Sequence, residues 1–440
     1  MRNFFYFARM LERGNKKLIN AWAFYDWANS VHSLVITTAI FPLHYSAIAV
    51  SRVHNGQKMV DFLGHEFNAT SLINYTGAAA FLLICLIIPI LTGIADYSDS
   101  KKKFLKFFCY LGGLSCMGLF FFEQVGMLIG LTFYVLSLVG FWGSVVFYNS
   151  YLPLVANPDD QDRVSAKGYT FGYLGSVVLL LICILMIIYD ESLRPYAFIL
   201  TGIWWIGFAQ VTFRKLPDGK RMPKVRGKHI AKGFQELRWV WKNMVKTRRL
   251  KRYLAAFFVY SMGVQTVMLV AVYFGEEEIE WSSPEFKTLG LMICILIIQL
   301  IAAVGANVMA RLSRTYGNIK TLILANAMWV SICICAYFIT SQTHFFILAG
   351  MVGFVMGGIQ SMSRSTYAKF LPETRDTASF FSFFDVSEKL GIVLGLLVFG
   401  LLEEWGDMRT SILSLVVFFA VGLLMLFRVP KDEIELELDH

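Results

Sequence analysis

The sequence predicts an all-α integral membrane protein whose twelve transmembrane helices form two pseudo-symmetric bundles of six. First, 56% of the 440 residues are hydrophobic, 16% are charged and the mean hydropathy is +0.57, values far from those of a soluble domain. Second, apolar runs long enough to cross a bilayer recur along the whole chain. Third, one long basic segment divides these runs into six and six.

Twelve apolar runs are each long enough to cross about 30 Å of hydrocarbon as a helix. They cover residues 21–50, 72–94, 104–124, 126–150, 165–188, 193–213, 251–274, 286–312, 319–341, 344–367, 379–402 and 408–428. Polar residues open the first run and no small-residue cleavage site follows it, unlike a signal peptide. We therefore expect it to be the first helix of the mature protein.

Basic residues fall on alternate loops. With the N-terminus inside, 34 of the 40 lysines and arginines lie in the inner segments or the adjoining span ends, 5 lie in the outer loops or the adjoining span ends, and Lys389 lies in the middle of a span. The positive-inside rule then predicts that both termini are cytoplasmic, and the short loops favour a bacterial inner membrane. The net charge of +9 thus reflects membrane topology, so we expect the bilayer and no nucleic acid as partner.

The basic segment 214–250 predicts the boundary between an N-terminal bundle, 1–213, and a C-terminal bundle, 251–440. Within this segment, apolar residues recur at helical spacing: Ile230, Phe234, Leu237, Trp241 and Met244. Lysines and arginines occupy the other faces, which predicts an amphipathic helix on the anionic inner leaflet. A basic tether that only satisfies the topology is the alternative.

The two halves contain similar segments at equivalent places. The chain reads GIADYSDSKKKFL after the second span and ARLSRTYGNIKTL after the eighth. After the fourth and tenth spans, Tyr148 precedes Pro153 and Tyr367 precedes Pro372, each with four residues between. This duplication predicts two parallel repeats around a site near the membrane midplane.

Six plus six helices in parallel repeats resemble the major facilitator superfamily of transporters. That superfamily has, after its second helix, a loop with glycine, aspartate, a second glycine and basic residues. Asp96, Lys101 and Lys102 match part of this signature, and Gly317 and Lys320 match its end in the second half. We expect these five residues to hold the inner helix ends together and to act in gating.

Three further segments together resemble the vacuole-effluxer-like family within that superfamily. They are AWAFYDWANS (21–30), SAKGYTFGYLG (165–175) and GGIQSMSRSTYAKFLPE (357–373). The family is named for a fungal vacuolar amino-acid exporter linked to autophagy, and it contains many bacterial members. The resemblance covers nearly the whole chain and implies amino-acid efflux, with a vacuolar membrane as an alternative location.

An aspartate lies within the first span. On an α-helix, Asp26, Asn29, Ser30, Ser33 and Thr37 form one polar stripe. An ionised carboxylate facing lipid costs at least about 2.5–3.5 kcal/mol, so the stripe must face protein or water. We interpret Asp26 as lining a central cavity, where it binds a substrate amine or exchanges a proton. The alternative is a structural hydrogen bond between helix ends.

The eleventh span carries three charged residues. Asp385 and Lys389 lie four residues apart on one helix face, so we expect them to neutralise one another as a structural pair. Glu388 is the deeper acid, and this pairing leaves it as the better candidate for a proton carrier.

The tenth span carries an arginine. Arg364 could bind a substrate carboxylate, pair with an acid of the eleventh span, or snorkel to lipid phosphate, and we favour snorkelling because it lies toward the inner end. Gln360 lies four residues before it on the same face. Lesser cavity candidates are Tyr148, Asn149 and Gln265, whose alternative role is hydrogen bonding between helices.

These observations predict a secondary transporter that moves a small polar solute, amino acids by resemblance, through alternating access coupled to protons. The sequence has no Walker-type phosphate loop, and its histidines and cysteines show no catalytic or metal-ligand spacing. We therefore expect no enzyme, no cofactor and no metal site, and a monomer as the functional unit. Two alternatives remain: a sensor or scaffold that acts through segment 214–250, and a lipid or amphiphile translocase.

Overall fold

The computed structural model describes residues 13–49, 52–54, 57–218, 229–405 and 408–431. Its long helices are α1 Lys16–Ile48, α2 Ala69–Tyr97, α3 Lys101–Gly118, α4 Met127–Asn149, α5 Gln161–Tyr189, α6 Tyr196–Lys215, α7 His229–Lys246, α8 Arg248–Glu277, α9 Pro284–Tyr316, α10 Asn318–Phe338, α11 Gln342–Phe370, α12 Thr377–Trp405 and α13 Met408–Phe427. Short helical turns continue α3 to Val125 and α4 to Val155. Helices α1–α6 form the N-terminal half, α8–α13 form the C-terminal half, and α7 lies between them in sequence.

The predicted all-α membrane fold is confirmed. Within the described residues, eleven helices are long and apolar enough to cross a membrane. The remaining predicted span, the eleventh along the chain, is α12, which has the length of a span but carries Asp385, Glu388 and Lys389 in its interior. Because charged groups at that depth need partners inside the protein, α12 must turn this face toward other helices.

Helix α1 is not a regular α-helix throughout. Its residues His32–Ile40 form a π-helix, and Pro42 follows shortly after. The wider π-turn brings residues five apart into line, and the Thr38 hydroxyl accordingly donates to the Ser33 carbonyl oxygen at 3.0 Å. The α-helical spacing that predicted the polar stripe therefore applies only as far as Val31, and Ser33 and Thr37 lie within the π-helix.

A small antiparallel sheet lies between α1 and α2, where the sequence predicted only an outer loop. Its strands pair in the order β1 Arg52–His54, β2 Gln57–Phe62 and β3 His65–Asn68. Leu63 and Gly64 both have positive φ, +52° and +80°, as a two-residue hairpin turn requires. Asn68 then caps α2 by accepting the Thr70 N–H at 2.9 Å. The sheet thus leads the chain directly into the second span.

The two halves pack against each other through a few helices. Helix α5 contacts α9 and α11, and α12 contacts α2 and α4. Small side chains permit the close approach of α5 to α9, where Ala166 packs with Ala306 and Ala310. Ala166 lies near the start of α5 and Ala310 near the end of α9, at the end of the bundle where α1 begins and α7 lies, which we call the linker end.

The predicted amphipathic helix is present as α7, but its packing differs from the prediction. Val240, Asn243 and Met244 are buried, and α7 contacts α2, α8 and α12. Trp241, which was assigned to the apolar face, is 53% exposed, although its ring lies 5.5 Å from that of Phe383. The buried face of α7 therefore packs against neighbouring helices of the bundle.

Candidate functional site

A buried ion pair joins the two halves inside the bundle. The Nη1 atom of Arg364 in α11 lies 3.2 Å from Oδ2 of Asp26 in α1. The Tyr148 hydroxyl of α4 donates to the same oxygen at 2.8 Å. Arg364 is 2% exposed and Asp26 is 7% exposed. The prediction that Arg364 snorkels to lipid phosphate is therefore wrong, because a carboxylate inside the protein is its partner.

Other groups fix the position of Arg364. Its Nε atom donates to the Ser165 hydroxyl at 2.9 Å, and its Nη2 atom donates to the Ser165 carbonyl oxygen at 2.8 Å. Nη1 also donates to Asn149 Oδ1 at 3.2 Å. The guanidinium carbon lies 4.2 Å from the ring centroid of Tyr169 and 5.0 Å from that of Trp22. This set of partners makes Arg364 the main polar contact between α11 and the N-terminal half.

Two glycines of α5 make room for the ion pair. A Cβ atom at Gly168 would meet the carboxylate of Asp26 and the guanidinium of Arg364. A Cβ atom at Gly172 would meet the hydroxyl of Ser30. Because both positions lack a side chain, the backbone of α5 lies directly against the polar face of α1.

A second buried cluster lies on α12. The Lys389 Nζ atom lies 2.6 Å from Asp385 Oδ1 and 2.7 Å from Glu388 Oε2. It also lies 3.5 Å from the ring centroid of Trp142 in α4, and Lys389 has no exposed surface. The structure brings Asp385 and Lys389 together, as their spacing predicts, but it also places Glu388 on the same lysine. These three residues, the α12 triad, contain one acid more than they contain bases.

A narrow cavity lies beside the α12 triad. Its walls include Tyr169 from the N-terminal half and Phe257, Tyr260, Gln265, Gln360 and Glu388 from the C-terminal half. The Gln265 Nε2 atom donates to Glu388 Oε1 at 2.9 Å. The volume of the cavity is about 20 Å³, so in this conformation it has room for a water molecule but not for a larger solute.

The other predicted pathway residues lie around these two clusters. Asn29 is 1% exposed and accepts a hydrogen bond from the Ser30 hydroxyl at 3.3 Å, whereas Ser33 is exposed. Gln360 accepts from the Tyr173 hydroxyl at 2.8 Å, which connects α11 to α5. Tyr169 was not predicted, although it joins the two clusters: Arg364 packs on its ring, and the same ring lines the cavity.

Asp96 connects the halves at the linker end. Its carboxylate accepts the backbone N–H groups of Ala378 at 3.3 Å and Ser379 at 2.6 Å, both in the first turn of α12. Lys101 lies 3.0 Å from Asp96 and donates to the Thr377 hydroxyl at 2.7 Å. The first N–H groups of a helix have no partner inside it, so the carboxylate caps α12 from the other half. We call this contact the Asp96 clasp.

The equivalent place in the repeat holds a second contact, which sequence reasoning missed. Asp162, in the first turn of α5, accepts hydrogen bonds from Ser313 at 2.8 Å and Asn318 at 2.7 Å, and Lys369 lies 2.6 Å away. Ser313 and Asn318 occupy the repeat positions of Asp96 and Lys101. The acid therefore belongs to α2 in the first contact and to α5 in the second, which we call the Asp162 clasp. A residue-by-residue alignment of the two repeats would have pointed to this second contact.

The remaining predicted gating residues have different surroundings. Lys102 is buried, donates to the Leu216 carbonyl oxygen at 2.8 Å and lies 2.8 Å from Asp218, so it binds the start of the linker segment. Gly317 has φ of +86° at the turn between α9 and α10, a conformation that glycine adopts without strain. Lys320 is exposed on α10, and the structure does not bring it to either clasp.

The ion pairs between the halves share one polarity. Within the described part of the chain, each one takes its acid from the N-terminal half and its base from the C-terminal half: Asp26 with Arg364, Asp162 with Lys369, and Asp160 with Arg314 at 3.6 Å.

Removing the Asp96 carboxylate is expected to expose the first turn of α12. In Asp96→Ala, the N–H groups of Ala378 and Ser379 lose a charged acceptor, a contact that typically contributes about 1.5–3 kcal/mol. Amide hydrogen exchange of the peptide that contains them should accelerate about tenfold to a hundredfold. Asp162→Ala is the matched control, because it breaks the other clasp and leaves these two amides capped. Unchanged exchange in Asp96→Ala would contradict a role for this carboxylate in closing the linker end.

Comparison with known proteins places this architecture among transporters. A family model described as vacuole effluxer Atg22 like matches residues 14–437. The chain is 31% identical over 434 residues to the MFS-type (major facilitator superfamily) transporter YxiO of Bacillus subtilis (strain 168), and the match covers 96% of this chain and 97% of that one. It is 24% identical over 470 residues to autophagy-related protein 22-1 of Penicillium rubens, with 86% and 78% covered.

A solved structure has the same fold. The E. coli fucose:proton symporter superposes with a TM-score of 0.66 at 16% sequence identity, over 94% of this chain and 98% of that one. At this identity the likeness concerns the fold alone. The resemblance drawn from the sequence motifs is confirmed by these matches, which extend over nearly the whole chain.

Proposed function

The chain belongs to the vacuole effluxer Atg22-like family of major facilitator transporters, and from this premise we propose that it is a secondary transporter that couples protons to the movement of a small polar solute. Membership of a transporter family also confirms the prediction that the chain is not an enzyme. Amino acids are the solute class that we propose first. A single chain contains the whole cavity, which supports a monomer as the working unit.

The α12 triad is the observation that carries this proposal. Asp385 and Glu388 share one lysine, so one negative charge is left over beside a cavity inside the membrane. Burying an uncompensated charge raises the free energy of the protein, and the uptake of a proton neutralises that charge. The charge on the triad therefore responds to the contents of the cavity, which is what coupling a proton to a solute requires.

Alternating access supplies the second step. The two clasps and the Arg364–Asp26 pair join the halves at or near the linker end, and all three contacts must break for that end to open. We propose that segment 214–250 is the joint between moving units 1–213 and 251–440. The excess of basic residues on this side supports a cytoplasmic linker end with both termini inside, in a bacterial inner membrane. The structure then corresponds to a conformation closed toward the cytoplasm.

The chemistry of the cavity fits a small solute with both polar and apolar groups. Gln265, Gln360 and Glu388 offer donors and acceptors, and the rings of Phe257 and Tyr260 form an apolar wall. A few convergent polar groups in a mostly apolar cavity are typical of small-molecule sites. Amino acids carry these two kinds of group.

Uptake of a radiolabelled amino-acid panel into proteoliposomes, with and without an imposed pH gradient, tests the proposal. We expect flux that depends on the gradient. Asp26→Asn should reduce this flux at least about tenfold, because the charge that holds Arg364 contributes about 1.5–3 kcal/mol to the closed state. Asp160→Asn is the matched control, since its partners Arg163 and Arg314 are more than half exposed. No flux of any amino acid by folded protein would contradict the proposal, and full activity of Asp26→Asn would remove Asp26 from the mechanism.

A further inference from the structure

The charged groups buried between the helices do not balance. Asp26 and Arg364 cancel each other at 3.2 Å. In the α12 triad, Lys389 can cancel only one of the two acids that it contacts. The interior therefore lacks one positive charge, and a transporter that changes conformation in lipid must obtain it from a proton or from its cargo.

Glu388 is the acid that can receive this charge. Asp385 is 3% exposed and does not line the cavity. The side chain of Glu388 is 20% exposed and forms part of the cavity wall. Each of its oxygens accepts one hydrogen bond, from Gln265 and from Lys389, and a carboxylate oxygen has room for a second donor. A cation inside the cavity thus meets Glu388 directly.

The rest of the cavity wall suits an organic ammonium group. Aromatic rings from three helices border the space: Tyr169 of α5, Phe257 and Tyr260 of α8, and Phe384 of α12. Ring faces attract cations, and a carboxylate beside several rings is the combination that binds ammonium groups well. Among the residues that line this cavity, Glu388 is the one carboxylate, and no lysine or arginine lines it. Lys389 lies 2.7 Å from Glu388 but outside the cavity wall, where it cancels one of the two acids of the α12 triad.

We propose that Glu388 binds either a proton or the ammonium group of the solute, so that the protein exchanges one for the other across the membrane. This inference rests on the proposed transport function and specifies its solute class and direction of coupling. When the ammonium group arrives, the Glu388 proton leaves for the solvent, and the total charge of the site is the same before and after. The charged or titratable groups around Glu388 are Asp385 and Lys389 on α12, Tyr260 on α8 and Tyr169 on α5. Only Glu388 among them is an acid open to the cavity.

Binding of n-butylammonium chloride to the purified full-length protein in detergent tests the inference without requiring transport. The neutral analogue 1-butanol is the ligand control. We expect butylammonium to bind more tightly as the pH rises, by no more than about tenfold per pH unit, and to release protons into weakly buffered solution, because the amine and the proton compete for one carboxylate. Butanol should release none.

Variants assign the effect to one carboxylate. Glu388→Gln should lose both the pH dependence and the proton release, while Glu388→Asp, which keeps the carboxylate, should retain them at reduced affinity. Glu276→Gln, an exposed acid at the other end of α8, should behave as the normal protein does. Melting curves show whether each variant is folded.

Three outcomes would overturn the exchange. They are no binding of butylammonium to the normal protein, binding that does not change with pH, and proton release that persists in folded Glu388→Gln. Amino-acid flux together with any of these results would support the proposed transport function and rule out the exchange at Glu388. Binding that depends on pH and on Glu388, without flux of any amino acid, would support the exchange and contradict amino acids as the cargo.

Discussion

Replacing Arg364 with methionine is expected to lower the free energy of unfolding by about 3–5 kcal/mol, because Asp26 then becomes a buried charge without a counterion. Asp26 is 7% exposed, and the Tyr148 hydroxyl that would remain beside it is neutral. The loss of the hydrogen bonds to Ser165 adds to the effect. Thermal unfolding of the purified protein, followed by tryptophan fluorescence, measures the change.

Two further variants separate the ion pair from the loss of bulk at Arg364. The double variant Asp26→Asn with Arg364→Met has no stranded charge and should recover much of the stability, as a double-mutant cycle would show. Arg163→Met removes an arginine that is 58% exposed and should change stability by less than about 1 kcal/mol. If Arg364→Met alone were as stable as the normal protein, Asp26 could not be ionised in the folded state.

Replacing Lys389 with methionine is expected to be equally damaging. Asp385 and Glu388 would then lie close together with no cation, a loss that costs about 3–5 kcal/mol when a buried pair is broken. The contact of Lys389 with the Trp142 ring, which joins α12 to the N-terminal half, would also be lost. Thermal unfolding at neutral and at acidic pH measures both effects, since protonating the two acids relieves their repulsion and should reduce the deficit at low pH.

Removing one acid should rescue this variant. Asp385→Asn with Lys389→Met leaves a single carboxyl group, which one proton neutralises, so the double variant should be more stable than Lys389→Met alone. Lys320→Met, a change at an exposed lysine, should leave stability within about 0.5 kcal/mol of normal. A Lys389→Met protein with normal stability would mean that the two acids are already protonated in the folded chain.

The contacts that could be predicted from the sequence are those that a single helix determines. Residues four apart share a face of any α-helix, so the approach of Asp385 to Lys389 follows from spacing alone. The pairing of Asp26 with Arg364 does not, because 338 positions separate them and only the packing of α1, α4, α5 and α11 brings them together. Hydropathy shows that Asp26 needs a partner, but it cannot say which one.

Local departures from regular structure also could not be predicted from the sequence. The α-helical period was applied through the whole first span, whereas the π-helix His32–Ile40 realigns every residue after it. The three strands between α1 and α2 are short, and their turn at Leu63 lacks the asparagine–glycine pair that marks many hairpins. The predicted number of membrane-spanning helices was not affected, because the length and apolarity of a span do not depend on these local features.

Because the acids of these ion pairs lie in the N-terminal half and the bases in the C-terminal half, the two duplicated halves present chemically different surfaces to each other. In two copies of the N-terminal half placed in the same way, the aspartates would face the repeat positions of Arg364, Lys369 and Arg314, which hold Val145, Ser150 and Tyr97, so each aspartate would lose its base. A buried charge without a counterion disfavours the wrong partner, just as complementary charges favour the right one. Although the repeats are built alike, each half can therefore recognise the other and reject a copy of itself.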